Sequence, residues 1–344
     1  MAAMVIVNNP GDWGQVYWPL LHAPWHGLTP TDLIFPFFLF IVGVSITLSR
    51  RSAATTATIV RRAALIFALG MLLALYPRFD FSIVRIPGVL QRIALCYLAV
   101  ALFNKWITRS TNRPKTPIVY SLAAAAVLLI GYWLLVMRDL TPEGNLGAAI
   151  DRAIFGPHLW RQSRTWDPEG LLSSLPAIGT ALTGLAAGYV LTGPWTRRER
   201  LRALAVGSAA ALAAGLAWSL VFPLNKSLWT SSYVLVTSGL AGLMLAGLEA
   251  VSVKPRAVFT PFVILGRNAL LLFVVSGFIA KTLGWIKVDN GQGGLMAVVR
   301  WIYVSWFAPF ASPKNSSLMF AFANLAVLFI LLWLLHRRRW YFRV

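Results

Sequence analysis

The sequence predicts an all-α fold, a polytopic transmembrane helix bundle of about 10–11 spans that include a truncated first helix. Three observations predict it. Apolar runs long enough to cross a bilayer, roughly 17–25 residues each, recur along the whole chain. Charged residues are 12% of the 344 positions, against about 25% in a soluble domain, and the mean hydropathy is +0.69. The net charge of +20 is carried by short Lys/Arg runs between the apolar segments. That is the pattern of the positive-inside rule, and it argues against a nucleic-acid partner. The strict alternation of barrel strands is absent, so helices are the expected spanning form. Residues 1–344 read as a single domain, and no basic start precedes the first short apolar run, so a cleavable signal peptide is not expected.

Taken in order, "MAAMVIV" is too short to cross alone, and residues 1–8 read as the end of a first helix whose beginning is missing. Residues 9–28, with Pro10, Gly11 and Gly14, form a turn-rich loop able to fold back into the membrane. The segment 29–50 is the first full span, opened by Thr29, Thr31 and Asp32 as helix-start chemistry. Spans follow at 59–76, 87–104 and 117–137, and then a long loop at 138–170. The next span, 171–193, starts after Pro168 and Glu169, and its Gly184 and Gly188 make a small-xxx-small packing face. Further spans read at 203–222, 229–251, 257–280 and 317–336. Residues 296–311 contain Arg300 and end at prolines, which favours an interfacial or re-entrant helix.

The basic residues orient the bundle. Alternate connections hold Arg50, Arg51, Arg61 and Arg62; Lys105, Arg109, Arg113 and Lys115; Arg197, Arg198, Arg200 and Arg202; Lys254 and Arg256; and Arg337, Arg338 and Arg339. These loops and the C-terminus are expected in the cytoplasm. The loops 9–28, which has no Lys or Arg, and 138–170 then lie outside, with His22, His26, Asp32 and His158.

Several polar groups fall at membrane depth. Gln91 and Arg92 occupy the first turns of one span, and Arg267 and Asn268 lie inside another. An arginine near mid-membrane costs about 2.5–3.5 kcal/mol on insertion scales, so such residues face a cavity or a partner, or snorkel to the headgroups. Asn225 and Lys226 head a dense polar cluster at an outer helix end, where Trp229 reads as an interfacial belt residue. Asp32 reads equally as a cap or a site residue. His22 lies among Tyr17, Trp18 and Trp25 in the outer loop. An imidazole there suits a general base near neutral pH. The single cysteine, Cys96, lies in an apolar run, so neither an internal disulfide nor a thiolate metal site is expected. The residues alone describe a polytopic membrane protein with an outward-facing polar pocket, either enzyme or transporter.

Five stretches go further: "VNNPGDWGQVYWPLLHAPWHGLTPTDLIFPFFLFIVGVSI", "PGVLQRIALCY", "WDPEGLLSSLPAIGTALTGLAAG", "PLNKSLWTSSYVLVTSGLA" and "LGRNALLLF". Together, and in this order, they closely resemble the heparan-α-glucosaminide N-acetyltransferase family in its bacterial NagX-like branch. The resemblance implies a transmembrane acetyltransferase of the bacterial inner membrane. It takes acetyl from cytosolic acetyl-CoA, with no metal or prosthetic group, and gives it to a glucosamine-type amino sugar on the far side. The lipid bilayer is then a partner, and a second copy of the chain is a candidate partner. The family's active-site histidine falls on His22 and its preceding asparagine on Asn8, with Asn9 the neighbouring candidate. Asp12, Asp32, Gln91, Arg92, Asn225 and Lys226 are candidates for the substrate pocket, and Arg267 and Asn268 for the donor path. Trp160, Trp166 and Trp285, in the outer loops 138–170 and 284–316, are candidate sugar-stacking residues, with a belt or packing role the favoured reading for any one of them. Family members usually begin with an "LDxxRG"-like segment, and this chain starts just after where it would lie. Two other classes stay open: an amino-sugar permease, and an O-acetyltransferase of a wall or surface glycan.

Overall fold

The computed structural model describes residues 1–49, 55–110, 113–251, 257–291 and 293–342. Its helices in chain order are α1 (Ala2–Asn8), α2 (Ile34–Leu48), α3 (Thr56–Leu75), α4 (Val89–Ser110), α5 (Thr116–Val136), α6 (Leu146–Phe155), α7 (Ser174–Thr192), α8 (Arg197–Trp218), α9 (Ser231–Val251), α10 (Thr260–Arg267) and α11 (Ala269–Trp285). A hairpin of β1 (Lys287–Asp289) and β2 (Leu295–Ala297) follows, then α12 (Val298–Trp306) and α13 (Pro313–Arg337). Among the described residues, seven helices are long and apolar enough to cross a membrane, or eight if the bent pair ending in α10 and α11 counts as one span. The chain is therefore an all-α, multi-pass membrane protein.

Each expected span from 29–50 to 317–336 meets a helix, but α4, on the span expected at 87–104, is not among the helices long and apolar enough to cross, and seven or eight such helices among the described residues fall short of the 10–11 spans expected. Three further details differ. The span expected at 257–280 is not continuous: it bends by 69° between α10 and α11. Asn268, at φ −120 and ψ 39, breaks it. Its side-chain amide donates to the Trp340 carbonyl at 3.1 Å and accepts from the Phe342 N–H at 2.9 Å. The loop 138–170 contains α6, capped by Asn145, whose Oδ1 accepts from the Ala148 N–H at 2.8 Å. The segment 296–311 holds α12, only nine residues long, behind an unexpected hairpin that pairs Val288 with Met296. Its turn uses Gly291 and Gly293 at φ 73 and 79, where a side chain would be strained. Arg50, Arg51, Lys254 and Arg256 lie outside the described residues.

The helices α2 and α7 run parallel with their backbones nearly touching, and α9 lies beside both. A Cβ on Gly43 would lie 1.9 Å from the Ala181 carbonyl oxygen, and one on Gly184 2.0 Å from that of Phe40. Only glycine permits this approach, and packing of close backbones is what holds helices together in lipid. Side-chain hydroxyls cross-link the same helices: Thr183 bonds Ser238 at 2.8 Å, and the Trp229 indole N–H donates to Thr180 at 3.1 Å. Trp229 is therefore no belt residue. It is fully buried, at φ 55, edge-on to Phe35 and Tyr233. Its indole N–H has a partner inside the bundle, so it gains nothing from an interface. This packing gathers the segments 9–33, 156–173 and 223–230 at the end of the bundle where α2, α7 and α9 begin.

Candidate functional site

Thr29 and Asp32 form a capping box on the turn Pro30–Leu33 that leads into α2. Asp32 Oδ2 accepts from the Thr29 N–H at 3.0 Å, the Thr29 hydroxyl at 3.0 Å and the Ala23 N–H at 3.1 Å. That leaves Oδ1, which meets His22 Nδ1 at 2.7 Å. One oxygen of Asp32 thus serves the cap read from the sequence, and the other meets the histidine. The carboxylate is 1% exposed and the imidazole 50% exposed. A carboxylate on Nδ1 holds the proton there and leaves the basic lone pair on Nε2.

Lys226 completes the cluster. Its Nζ lies 3.1 Å from His22 Nδ1, 3.2 Å from His22 Nε2 and 3.8 Å from Asp32 Oδ1. The turn that presents it is tied by Asn225, whose Oδ1 accepts from the Leu228 N–H at 2.8 Å and whose N–H donates to Thr230 Oγ1 at 3.1 Å. Asn225 also touches His26 at 3.3 Å. Burial lowers the Lys226 ammonium below the ordinary lysine range, against the pull of Glu169 and Asp32.

A second set of charges faces this one. Arg85 donates through Nε to Asp167 Oδ2 at 2.8 Å, and through Nη2 to Asp167 Oδ1 and Glu169 Oε2. Burial works to raise the Glu169 carboxyl, but Arg85, Arg92 and Lys226 outweigh it and hold it below the ordinary range. Arg92 does not snorkel. It is fully buried, donates to the Gly170 carbonyl at 2.9 Å and to the Ser173 hydroxyl, and lies over the Trp229 ring at 5.1 Å. It anchors the loop that carries Asp167 and Glu169.

Asp151 braces the same loop by accepting from the Leu171 N–H at 2.9 Å. Burial pushes its carboxyl up from 3.8 to about 6. A folded value raised in this way contributes stability that is complete below about pH 4 and is lost as the pH rises through about 6, on the order of 3 kcal/mol in all. Asp151→Asn is therefore expected to melt increasingly above the wild type as the pH is raised across that window. Paired thermal melts in detergent read the difference directly, and a gap that does not change with pH would contradict it.

A cavity of about 1350 Å³ opens beside these groups. At one end it is lined by His22, Asp32, Lys226, Arg85 and Glu169, with Trp25, Trp160 and Trp166 above them. The three indoles form an edge-to-face chain, Trp25 to Trp166 at 5.0 Å and Trp160 to Trp166 at 5.4 Å. Phe35, Phe38, Val42, Ser45 and Ser49 line its side. Their alternating three- and four-residue spacing is one face of a helix, so the cavity follows α2 for roughly 20 Å. Its other end holds Arg62, Arg267 and Phe342.

Of the residues singled out in the sequence as site candidates, His22, Asp32, Lys226, Asn8, Arg267, Trp160 and Trp166 line the cavity, whereas Asn9, Asp12, Gln91, Arg92, Asn225, Asn268 and Trp285 are not among its lining residues. Asn9 turns back to the Val5 carbonyl at 2.8 Å. Asp12 pairs with Arg300 at 2.9 Å, Gln91 packs with its amide against Met71 Sδ at 3.5 Å, and Trp285 sits under Arg78. Arg92 and Asn225 support the site from behind, and Asn268 joins α10 to the C-terminal segment. Arg85, Glu169 and Trp25 were not singled out as pocket residues. Glu169 looked like ordinary helix-start chemistry, whereas α7 begins only at Ser174. The available signal was Arg85, just before "IPGV" in the connection that also holds Arg78. Among the described residues, no three of His, Cys, Asp and Glu are grouped to hold a metal ion.

The family model described as "Heparan-alpha-glucosaminide N-acetyltransferase, catalytic" matches residues 1–225. The chain is 30% identical to the heparan-alpha-glucosaminide N-acetyltransferase of Homo sapiens over 79% of its own length and 50% of that protein's. It is 29% identical to the protein of that name from Mus musculus, over 80% of its own length and 51% of that protein's. The chain thus spans about half the length of the curated relatives it matches. The matched segment holds His22, Asp32, Arg85 and Glu169 and ends one residue before Lys226.

Proposed function

The chain belongs to the heparan-alpha-glucosaminide N-acetyltransferase family, and from that premise we propose that it moves acetyl from acetyl-CoA to a glucosamine-type amino sugar across the thickness of a bacterial inner membrane. The observation that carries this reading is a His22–Asp32 pair at one end of a cavity that runs along α2 to arginines at the other. The basic connections orient that arginine end to the cytoplasm. Arg62 and Arg267 attract the donor's phosphates there. The apolar middle, walled by Phe35 and Phe38, takes the uncharged arm, and the thioester arrives at His22.

His22 Nε2 then takes a proton from the acceptor amine as the nitrogen attacks the thioester carbonyl. The carbon–sulfur bond breaks, and the departing thiolate takes the proton back from the imidazolium. Asp32 holds the imidazole in the tautomer that keeps Nε2 basic and stabilises the cation that forms. Asn8, on the same cavity wall, donates to the developing oxyanion, a contribution of about 2.7–4 kcal/mol for one such donor. Trp25, Trp160 and Trp166 present ring faces and edges against which a sugar packs.

The test is an acetylation assay in sealed vesicles of known orientation, with labelled acetyl-CoA on the side of the basic connections and glucosamine on the other. Labelled N-acetylglucosamine on the glucosamine side is the expected result. A cavity running along a whole span also suits a permease. Vesicles that take up N-acetylglucosamine without acetyl-CoA, and acetylate nothing, would replace the transferase reading with that one.

A further inference from the structure

We propose that Lys226 is itself an acetyl acceptor: when donor is present and amino sugar is absent, the chain acetylates Nζ of its own Lys226 and blocks its acceptor position. The proposal rests on the transferase reading and adds to it a modification site within the chain.

An acceptor amine must come within about 2.6–3.2 Å of the base that deprotonates it. The Lys226 amine stands at that distance with no substrate present, 3.2 Å from His22 Nε2 and 3.1 Å from Nδ1; it lies over the ring, and a small swing of its flexible end brings it onto the Nε2 lone pair. It lines the same cavity as His22, and its side chain is 21% exposed, so a thioester travelling along the cavity reaches it. The turn from Asn225 to Thr230 is hydrogen-bonded at both ends and holds the lysine in this position.

The amine is held more loosely than a structural cation would be. Its ion pair with Asp32 Oδ1 is long, at 3.8 Å, and that oxygen is also on His22, while Glu169 Oε2 is on Arg85. Arg85, by contrast, makes a two-pronged pair with Asp167. Burial favours the neutral amine, which is the nucleophilic form.

The step balances without another reactant. The Nζ lone pair attacks the thioester carbonyl carbon, and His22 Nε2 takes the amine proton. The carbon–sulfur bond breaks, and the thiolate leaves with the proton returned by the imidazolium. The products are Nζ-acetyl-Lys226 and free CoA. The amide has lost its charge and fills the space beside His22 where the sugar's amine must sit, so the acetylated chain is inactive.

The experiment incubates the full chain, in membranes and after purification in detergent, with radiolabelled acetyl-CoA and no amino sugar. The label is then located by peptide mass analysis before and after hydroxylamine, which strips acetyl-imidazole but not an amide. Transfer to added glucosamine is measured in parallel. The expected result is a hydroxylamine-stable acetyl group on Lys226, approaching one per chain, suppressed by glucosamine, lost in Lys226→Arg and reduced about 100-fold or more in His22→Ala. Glucosamine acetylation with Lys226 unmodified would overturn the proposal and leave the transferase reading standing. So would a label found only in the hydroxylamine-sensitive form, or equal labelling of Lys226 in His22→Ala, which would mark it as uncatalysed chemistry. Absence of both glucosamine and Lys226 acetylation overturns the proposal together with the reading beneath it.

Discussion

His22→Ala is expected to lower the turnover of acetyl transfer by about 10²–10⁴-fold while the protein still folds, the usual weight of a positioned general base. The imidazole is half exposed on a cavity wall, so its removal opens little new void in the core. Asp32 keeps the three donors on Oδ2, and Lys226, already 3.8 Å from Oδ1, takes up the carboxylate that His22 vacates. The buried charge therefore stays compensated, which is the condition for avoiding a large stability loss. Turnover with labelled acetyl-CoA and glucosamine, compared with the elution profile and melting midpoint of the same preparation, separates the two effects. Near-full turnover in a folded His22→Ala chain would show that this histidine is not the base.

Asp32→Asn is expected to cost a comparable factor, roughly 10³–10⁴ in turnover, by a different route. The three donors that converge on Oδ2 require an oxygen there, so the asparagine carbonyl takes that position and its NH₂ turns toward His22. An NH₂ facing Nδ1 forces the imidazole proton onto Nε2 and removes the basic lone pair from the side facing the cavity. The cap survives, because an asparagine oxygen caps nearly as well as a carboxylate. The melting midpoint should therefore stay close to the wild type while activity falls. Asp32→Ala loses the cap as well and should be less stable by about 1 kcal/mol. If Asp32→Asn lost stability but kept its turnover per folded molecule, the carboxylate would be a cap and nothing more.

The helices were legible because their signal is local. Long apolar runs and the charge breaks between them do not depend on what packs against them, and each expected span met a helix. Where the expectation failed, a side chain had found a distant partner. Asn268 breaks its span because it pairs with backbone 72 and 74 residues away. Trp229 leaves the interface because Thr180, on another helix, accepts its N–H. Arg92 stays inside the bundle, where Gly170 and Ser173 accept from its Nη2 and the Trp229 ring lies under its guanidinium.

The candidate site divides in the same way. The motif "HAPWHGLTPTDL" already held His22 and Asp32, and a separation of ten residues, 2.7 Å apart in space, lies within the reach of one loop and its cap. Local sequence was enough for the membrane-crossing class and for the basic and non-basic connections, and it put His22 and Asp32 in one motif, but their contact is a finding of the structure. Only the tertiary structure decided that Lys226, 204 residues from His22, stands against the same imidazole, and that Arg85 holds Glu169 across 84 residues. Hydropathy and capping are written in neighbouring residues, whereas these contacts follow from the close parallel packing of α2 and α7 with α9 beside both, which sets their first turns side by side.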